Sequence, residues 1–444
     1  MRILHISTRL ILGGSQENTV LSCEGQASRG HEVHLAFGPI YGPEGSLLAR
    51  VRAFGGPSLA AGVGEASEDA PPPAPGRITT HEVPHLVREV SPIADGRCFR
   101  ELRALIRSLR PDVVHTHSSK AGILGRAAAW RERVPVVVHT IHGPPFHDHL
   151  PWHTNRLYIA AERYAARRCH AIIGVCDAMV RRFAAHDIGK PRQYHTVYSG
   201  METGPFLTAA PGESREQVRD RLGLGPDDFV IGTVARLAEH KGHDDLLDAL
   251  AADLKANPGW RMLWVGDGWW RERLTAKARQ LGIGIRSLDD GEAARRAEPV
   301  GGNPSPLSPP LTPHAPAQLF LTGLVTPDRI PGLMRAMDVL VHPSYREGLP
   351  RTVPQALLCG VCPIAYDTDG TPEVCKEMKT GRLVRTGDRA ALREAVRWAA
   401  ENPLPRAALA ARGREECRIR FDAERMIDEL ERVYAGVKRG DGPR

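Results

Sequence analysis

Twice along this chain a short apolar run ends in a glycine-bearing loop and gives way to a helical pattern. Residues 2–7 lead through Gly13-Gly14 into a helical stretch over 16–30, and 31–36 read as the next strand. Around Tyr198-Ser199-Gly200 the pattern restarts. A strand over 229–234 is followed by the Lys241-Gly242 turn, a helix from about Asp244 and a strand over 261–265. This β-loop-α-β order opens a doubly wound α/β unit. The β-branched strand over 134–140 is apolar enough to be buried on both faces, as parallel sheets require. Further strands fall at 112–115, 171–175 and 195–198, then at 319–322, 339–341 and 362–366. Helices are expected over 97–109, where Pro111 stops the run, near 390–401 and over 423–437.

The fold class that follows is α/β, with two facing Rossmann-like doubly wound domains. The first covers 1–200, with an Ala/Gly/Pro-rich insertion at 57–77. The second covers 201–421, with a Pro/Gly/Ser/Arg-rich insertion at 285–317 that is too long for a core loop. In such sheets ligands bind outside the carboxyl ends of the strands, which puts a shared cleft between the domains.

Composition excludes several classes. At 444 residues, 42% hydrophobic and 25% charged, the chain reads as globular. It has no apolar run of about 18 residues and no signal-peptide pattern at Met1-Arg2-Ile3. Eight cysteines are scattered, and only Cys359 and Cys362 form a Cys-x-x-Cys. No second pair completes a zinc set, so reduced thiols and a cytoplasmic location are expected. Residues 1–200 hold 24 basic and 17 acidic side chains, so the whole net charge of +7 falls in that half. That excess suits an acidic partner. Aromatics at 5% give little support for nucleic-acid stacking, so no nucleic acid is expected.

The chemistry concentrates in 341–373. Glu347-Gly348-Leu349-Pro350 leads into an apolar helix that carries Gln355, and a short strand over 362–366 follows. Glycine lets backbone N–H groups approach a ligand closely, and a helix N-terminus favours negative charge. Upstream, Arg236 and Lys241 are five apart in a loop, where they can offer fixed positive charge to a diphosphate. Because both lie in a loop, their removal is expected to leave folding nearly unchanged. Gly13-Gly14 fails the Gly-x-Gly-x-x-Gly dehydrogenase pattern. His142 lies just past a strand end.

In their order, Gly13-Gly14, His142, Arg236…Lys241, Gly323 and Glu347-Gly348 resemble the motifs of retaining GT-B glycosyltransferases of family 4, including the enzymes that build bacterial surface polysaccharides. The resemblance implies a hexosyltransferase of the EC 2.4 class. It would move sugar from a nucleotide-sugar donor to a hydroxyl acceptor, with retention and without a cofactor or metal. It implies that Arg236 and Lys241 clamp the leaving diphosphate. Glu347 and the amides of Gly348 and Leu349 would hold sugar hydroxyls, and His142 would contact the sugar. Gly13-Gly14 would face the donor phosphates, and the turn over 321–325, ending at Val325, would meet the nucleobase. It also implies that 422–444 crosses back to the first domain. The family's second Glu is replaced by Gln355, which offers one acceptor and one donor where a carboxylate accepts two ribose hydroxyls. That departure favours the alternative of a non-catalytic nucleotide-sugar-binding protein. A nucleic-acid-binding protein is the remaining alternative.

Two metal readings are weaker. Asp367-Thr368-Asp369 resembles an Asp-x-Asp metal motif but lies in a loop. His115, His117, His142, His147 and His149 lack a carboxylate or thiolate spaced to complete a site, and His115 and His139 read as structural. Finally, Arg126, Arg131 and Arg133 surround Trp130, and Arg163, Arg167 and Arg168 cluster on another helix. Cations beside an interfacial aromatic suit peripheral contact with an anionic membrane, near a lipid-linked acceptor at the inner membrane surface.

Overall fold

The computed structural model describes residues 1–41, 45–54, 59–60, 76–147, 150–288 and 317–438. They form two compact units. One is Met1–Glu202 with the segment from Arg420 onward, and the other is Thr203–Ile419.

The first unit holds an eight-stranded sheet: β1 (Arg2–Ser7), β2 (Glu32–Phe37), β3 (Leu59–Ala60), β4 (Ile78–Glu82), β5 (Val113–His117), β6 (Val136–Ile141), β7 (Ala171–Gly174) and β8 (Tyr194–Thr196). Its spatial order is β3-β4-β2-β1-β5-β6-β7-β8, with parallel pairing throughout. The chain winds outward from β1 and then restarts on its other side at β5, so the topological switch point lies between those two strands. The helix Pro92–Leu109 starts five residues before the expected 97. Proline is tolerated in a first helical turn, and the Ser91 hydroxyl accepts from the Ala94 N–H there.

The second unit holds seven strands: β9 (Phe229–Val234), β10 (Trp260–Val265), β11 (Ile285–Ser287), β12 (Leu319–Leu321), β13 (Val339–His342), β14 (Cys362–Tyr366) and β15 (Arg382–Val384). They are ordered β11-β12-β10-β9-β13-β14-β15, again parallel. The switch point falls between β9 and β13. Ile231, Met262, Trp264, Leu319, Val339 and Ile364 from five neighbouring strands fill one core under the helices His243–Ala256 and Arg389–Glu401.

The helix Ala423–Gly436 belongs to the first unit. Its Met426, Ile427, Leu430 and Tyr434 join Ile3, Leu21, Val113, Val136 and Ile173 in one apolar cluster. It lies so close to the helix Gly14–Ser28 that a Cβ on Gly25 would sit 1.9 Å from Ile427 Cδ1.

Both expected insertions are narrower than their sequence suggested. Leu59–Ala60, inside 57–77, pairs with β4, and Ile285–Ser287, inside 285–317, pairs with β12. Two or three residues of backbone pairing form an edge strand here, even though the segment around each is rich in turn formers. The rest of 57–75 and all of 289–316 lie outside the described residues. All eight cysteines are free thiols. Burial pushes Cys359 and Cys362 up to about 12, so both act as small apolar side chains.

Candidate functional site

In the second unit the predicted residues gather at the switch point. Arg236 leaves the carboxyl end of β9 as an exposed side chain. Lys241 closes a single 3₁₀ turn, Glu239–Lys241, and Gly242 follows at φ +71. A Cβ there would lie 1.9 Å from the Pro343 carbonyl, so only glycine lets this turn pack against the loop after β13. The His240 carbonyl accepts from the Tyr345 N–H at 2.8 Å and from the Ser344 hydroxyl at 3.1 Å. The two loops are thereby tied, one from each side of the switch.

Glu347 sits where they meet. Its Oε1 accepts from Lys241 Nζ and, at 3.0 Å, from His342 Nε2. Its backbone N–H donates to Asp369 Oδ2 at 2.8 Å, and Gly370 N–H donates to the Gly348 carbonyl at 3.1 Å. Only 13% of the Glu347 side chain and 19% of Lys241 are exposed. Burial opposes ionisation of Glu347. The Lys241 ammonium and the His342 hydrogen bond outweigh it and hold the carboxyl well below the ordinary carboxylate range. This corrects the expectation that Lys241 stands free of the fold: its loop is coil-like in sequence, but its ammonium neutralises a largely buried carboxylate.

Behind this cluster, buried Asp245 accepts from the Tyr345 hydroxyl at 2.6 Å, the Tyr366 hydroxyl at 2.8 Å and Arg389 Nε at 2.7 Å. Gln355 is buried on the helix Thr352–Leu358, and Leu349 is buried beside Gly348. Gly266 N–H donates to the Gly323 carbonyl at 3.1 Å, which places half-buried Val325 at the same strand-end edge. The Asp369 carboxylate accepts from the Glu347 amide and so braces the loop, and the backbone N–H of Asp367 donates to the Val384 carbonyl at 2.7 Å.

In the first unit Gly13 and Gly14 begin the helix Gly14–Ser28 beyond β1, and Gly13 is extended at φ −175. His142 follows β6 and is half-buried, with Nε2 3.1 Å from His117 Nδ1. His115 and His139 are buried and hydrogen-bonded. Among the described residues the one cluster of potential metal ligands is His5, His115 and His117, not the five-histidine set weighed and set aside from sequence, of which His149 lies outside the described residues. His5 was missed. It pairs in register with His115 across β1 and β5, and His115 and His117 share a face by period two. His342 and Asp369 were missed as partners of Glu347. A histidine on the last residue of β13, five before Glu347, was the available signal.

The surface of the first unit also differs from expectation. Arg126 is fully buried. Its Nη2 pairs with Glu162 at 2.7 Å and its Nε donates to the Gly122 carbonyl at 2.7 Å. A guanidinium inside a fold must be paired, and Glu162, 36 residues away, supplies the charge. Arg131, Arg133, Arg163 and Arg167 are exposed. Trp130, Arg163, Arg167 and Lys190 line one concavity of about 390 Å³. A second, of about 520 Å³, is lined by Arg9, Arg88, Lys120, Ile123, Leu124 and Leu157, among others.

Two family models match this chain. The Glycosyl transferase 4-like domain covers 13–200, and Glycosyl transferases group 1 covers 214–287 and 314–416. The chain belongs to the family 4 glycosyltransferases. This glycosyltransferase is 25% identical to the putative glycosyltransferase EpsD of Bacillus subtilis over 341 residues, 76% of this chain and 80% of that one. It is 26% identical to the Escherichia coli UDP-Gal:alpha-D-GlcNAc-diphosphoundecaprenol alpha-1,3-galactosyltransferase over 317 residues, 69% of this chain and 70% of that one. The crystal structure of Anabaena HepE in complex with UDP-glucose superposes with a TM-score of 0.72 at 18% identity, covering 98% of this chain and 100% of that one. The fold is GT-B, and the enzyme is a nucleotide-sugar glycosyltransferase of the hexosyltransferase class.

Proposed function

We propose that this glycosyltransferase transfers its sugar with retention of anomeric configuration, without a metal, to an amphiphilic acceptor in polysaccharide or glycolipid assembly. The observation that carries the reading is the Lys241–Glu347–His342 cluster at the second unit's switch point. A diphosphate leaving group gains negative charge as the glycosidic C–O bond breaks. Arg236 and Lys241 supply fixed positive charge there, the task a divalent cation performs elsewhere. The ammonium has three donors and Glu347 uses one, so Lys241 can serve carboxylate and phosphate together. Glu347, held ionised, accepts from sugar hydroxyls, and the Gly348 and Leu349 amides add donors. By the family resemblance, His142 adds a contact to the sugar. No protein carboxylate is assigned as nucleophile. The acceptor attacks on the face that the diphosphate leaves, and a leaving-phosphate oxygen takes the acceptor's proton.

The acceptor reading rests on the concavity of about 520 Å³ in the first unit, where Arg9, Arg88 and Lys120, the last paired with Asp95 at 2.5 Å, lie beside apolar Ile123, Leu124 and Leu157. An anionic headgroup on an apolar tail matches that lining, as does the lipid diphosphate in the Escherichia coli relative's name. The helix Trp152–Ala166 leaves Trp152, Arg156, Leu157, Arg163 and Tyr164 exposed at helical spacing. Such a face docks on an anionic interface. No helix among the described residues is long and apolar enough to cross a membrane.

A donor screen that reads nucleoside diphosphate release, followed by the anomeric coupling of the product, tests the proposal. Activity is expected to survive EDTA. Inversion of the anomeric centre, or an EDTA loss restored by Mn²⁺, would overturn the mechanism.

A further inference from the structure

Tyr345 holds the Lys241 turn from both of its ends. Its backbone N–H donates to the carbonyl of His240, the residue before Lys241, at 2.8 Å. Its hydroxyl donates to Asp245 Oδ2 at 2.6 Å, four residues after Lys241 and in the first turn of the helix His243–Ala256. Two residues beyond Tyr345 on the same loop, Glu347 accepts from Lys241 Nζ. Lys241 therefore lies between the two points that Tyr345 grips, and its ammonium meets the loop that carries the grip.

The hydroxyl's anchor is itself fixed. Asp245 is 2% exposed. Its other oxygen, Oδ1, accepts from Arg389 Nε at 2.7 Å, and Arg389 Nη1 pairs with Asp248 Oδ2 at 2.9 Å on the same helix. Tyr366, at the end of β14, donates to the same Oδ2 at 2.8 Å. The two tyrosine rings meet edge-on, with centroids 5.7 Å apart. Burial and the hydrogen bond to Asp245 push the Tyr345 hydroxyl up to about 12, so it stays a donor near neutral pH.

A lysine ammonium rides on a long flexible stem, so its place is set only if its backbone and its partner are both held. We infer that Tyr345 is a positioning residue that brackets Lys241 and holds its ammonium in register with Glu347. The inference rests on the charge clamp proposed above for Lys241, and it adds the side chain that sets where that charge stands. Placement matters because a fixed charge stabilises a developing anion in proportion to its preorganisation.

The two tyrosines give a matched test. Tyr345→Phe and Tyr366→Phe each take one hydroxyl from the same carboxylate oxygen and leave a ring behind, but only Tyr345 is also bonded to His240. Acetylation of Lys241 by acetic anhydride is followed by peptide mass spectrometry on the full chain without substrate. Lys376, which pairs with Glu416, is the internal reference. Turnover is read at saturating donor. Tyr345→Phe is expected to raise the Lys241 labelling rate about fivefold, the size of one lost hydrogen bond, whereas Tyr366→Phe should stay within about twofold of wild type. Turnover should fall about tenfold in Tyr345→Phe, less than the roughly 10²-fold that a 1 Å misplacement costs, and hold in Tyr366→Phe. If Tyr345→Phe does not fold, Tyr345→Met, apolar and without the hydroxyl, serves the same comparison. Equal labelling in the two variants, unchanged Lys241 labelling in Tyr345→Phe, or full turnover by Tyr345→Phe where Lys241→Ala is inactive would each overturn the inference. Labelling as expected, with full turnover by Lys241→Ala, would sustain the bracket and strike the clamp instead.

Discussion

At its switch point the second unit carries formal charge: Lys241 against Glu347, with Arg236 on the adjoining loop. At the corresponding place the first unit carries neutral imidazoles, hydrogen-bonded to an amide and a phenol, and its excess positive charge lies on the surface instead. The difference follows from where the side chains sit. Lys241 and Glu347 come from loops beyond the strands, where partial exposure makes a compensated ion pair affordable. His5, His115 and His117 come from inside β1 and β5, where desolvation expels charge. The charged unit suits a leaving diphosphate.

The strongest way to break this contrast is at the charged end. Lys241→Ala and Arg236→Ala should each lower turnover by about 10²–10³-fold, the range for a lost transition-state charge stabiliser. They should differ in stability. Lys241→Ala leaves the Glu347 carboxylate without its ammonium and should cost about 1–3 kcal/mol in denaturant titration, whereas Arg236→Ala, at an exposed position, should cost under about 0.5 kcal/mol. Near-wild-type turnover in either variant would remove the clamp.

Acid should separate the two ends. Buried His5 and His117 have native pKa values below the unfolded value of about 6.5, so the stability they give is fully present above that pH and is lost as pH falls below it. Between pH 6.5 and 5, wild type should lose about 2 kcal/mol more than His117→Phe, which lacks one of the rings that must be kept neutral. Glu347, also held low, gives stability that is present above its unfolded value of about 4.3 and lost as pH falls further. The gap between wild type and Glu347→Gln should therefore stay level from pH 8 to about 5 and narrow only below that. A gap that narrows already at pH 6.5 would contradict the assignment.

Gln355→Glu asks whether the second unit accepts one more charge. If the side chain faces the donor's ribose, a carboxylate should lower the donor KM about tenfold, equivalent to roughly one hydrogen bond. An unchanged KM would remove Gln355 from the donor site. The smallest effect concerns the first unit's surface. Arg167→Gln should weaken co-sedimentation with anionic vesicles about fivefold, near 1 kcal/mol for one cation, and leave neutral vesicles unaffected. Equal recovery on both lipids for the wild type would end the membrane reading.

The fold was legible where apolar runs were unbroken. Arg2–Ser7, Phe229–Val234 and Cys362–Tyr366 begin and end where the sequence puts them, because both sheet faces are buried. Ile78–Glu82 was missed: Ile-Thr-Thr-His-Glu is too polar to read as core, and its burial comes from pairing with β2. Site chemistry was legible as residue types near strand ends and illegible as partnership. Nothing local to Arg126 announces Glu162, and nothing in β1 announces that His5 reaches His117, 112 residues on. Contacts of that separation are set by topology, which a periodicity cannot encode.

The helix Ala423–Gly436 completes the first unit's core, yet it is translated more than 220 residues after β8. At about 5–20 residues per second the ribosome needs roughly 10–50 s to cover that distance. For that interval the nascent first unit presents the apolar faces of Leu21, Val113 and Ile173 uncovered, while the second unit, contiguous in the chain, can finish folding. The first unit therefore cannot complete this core until the whole second unit has been synthesised.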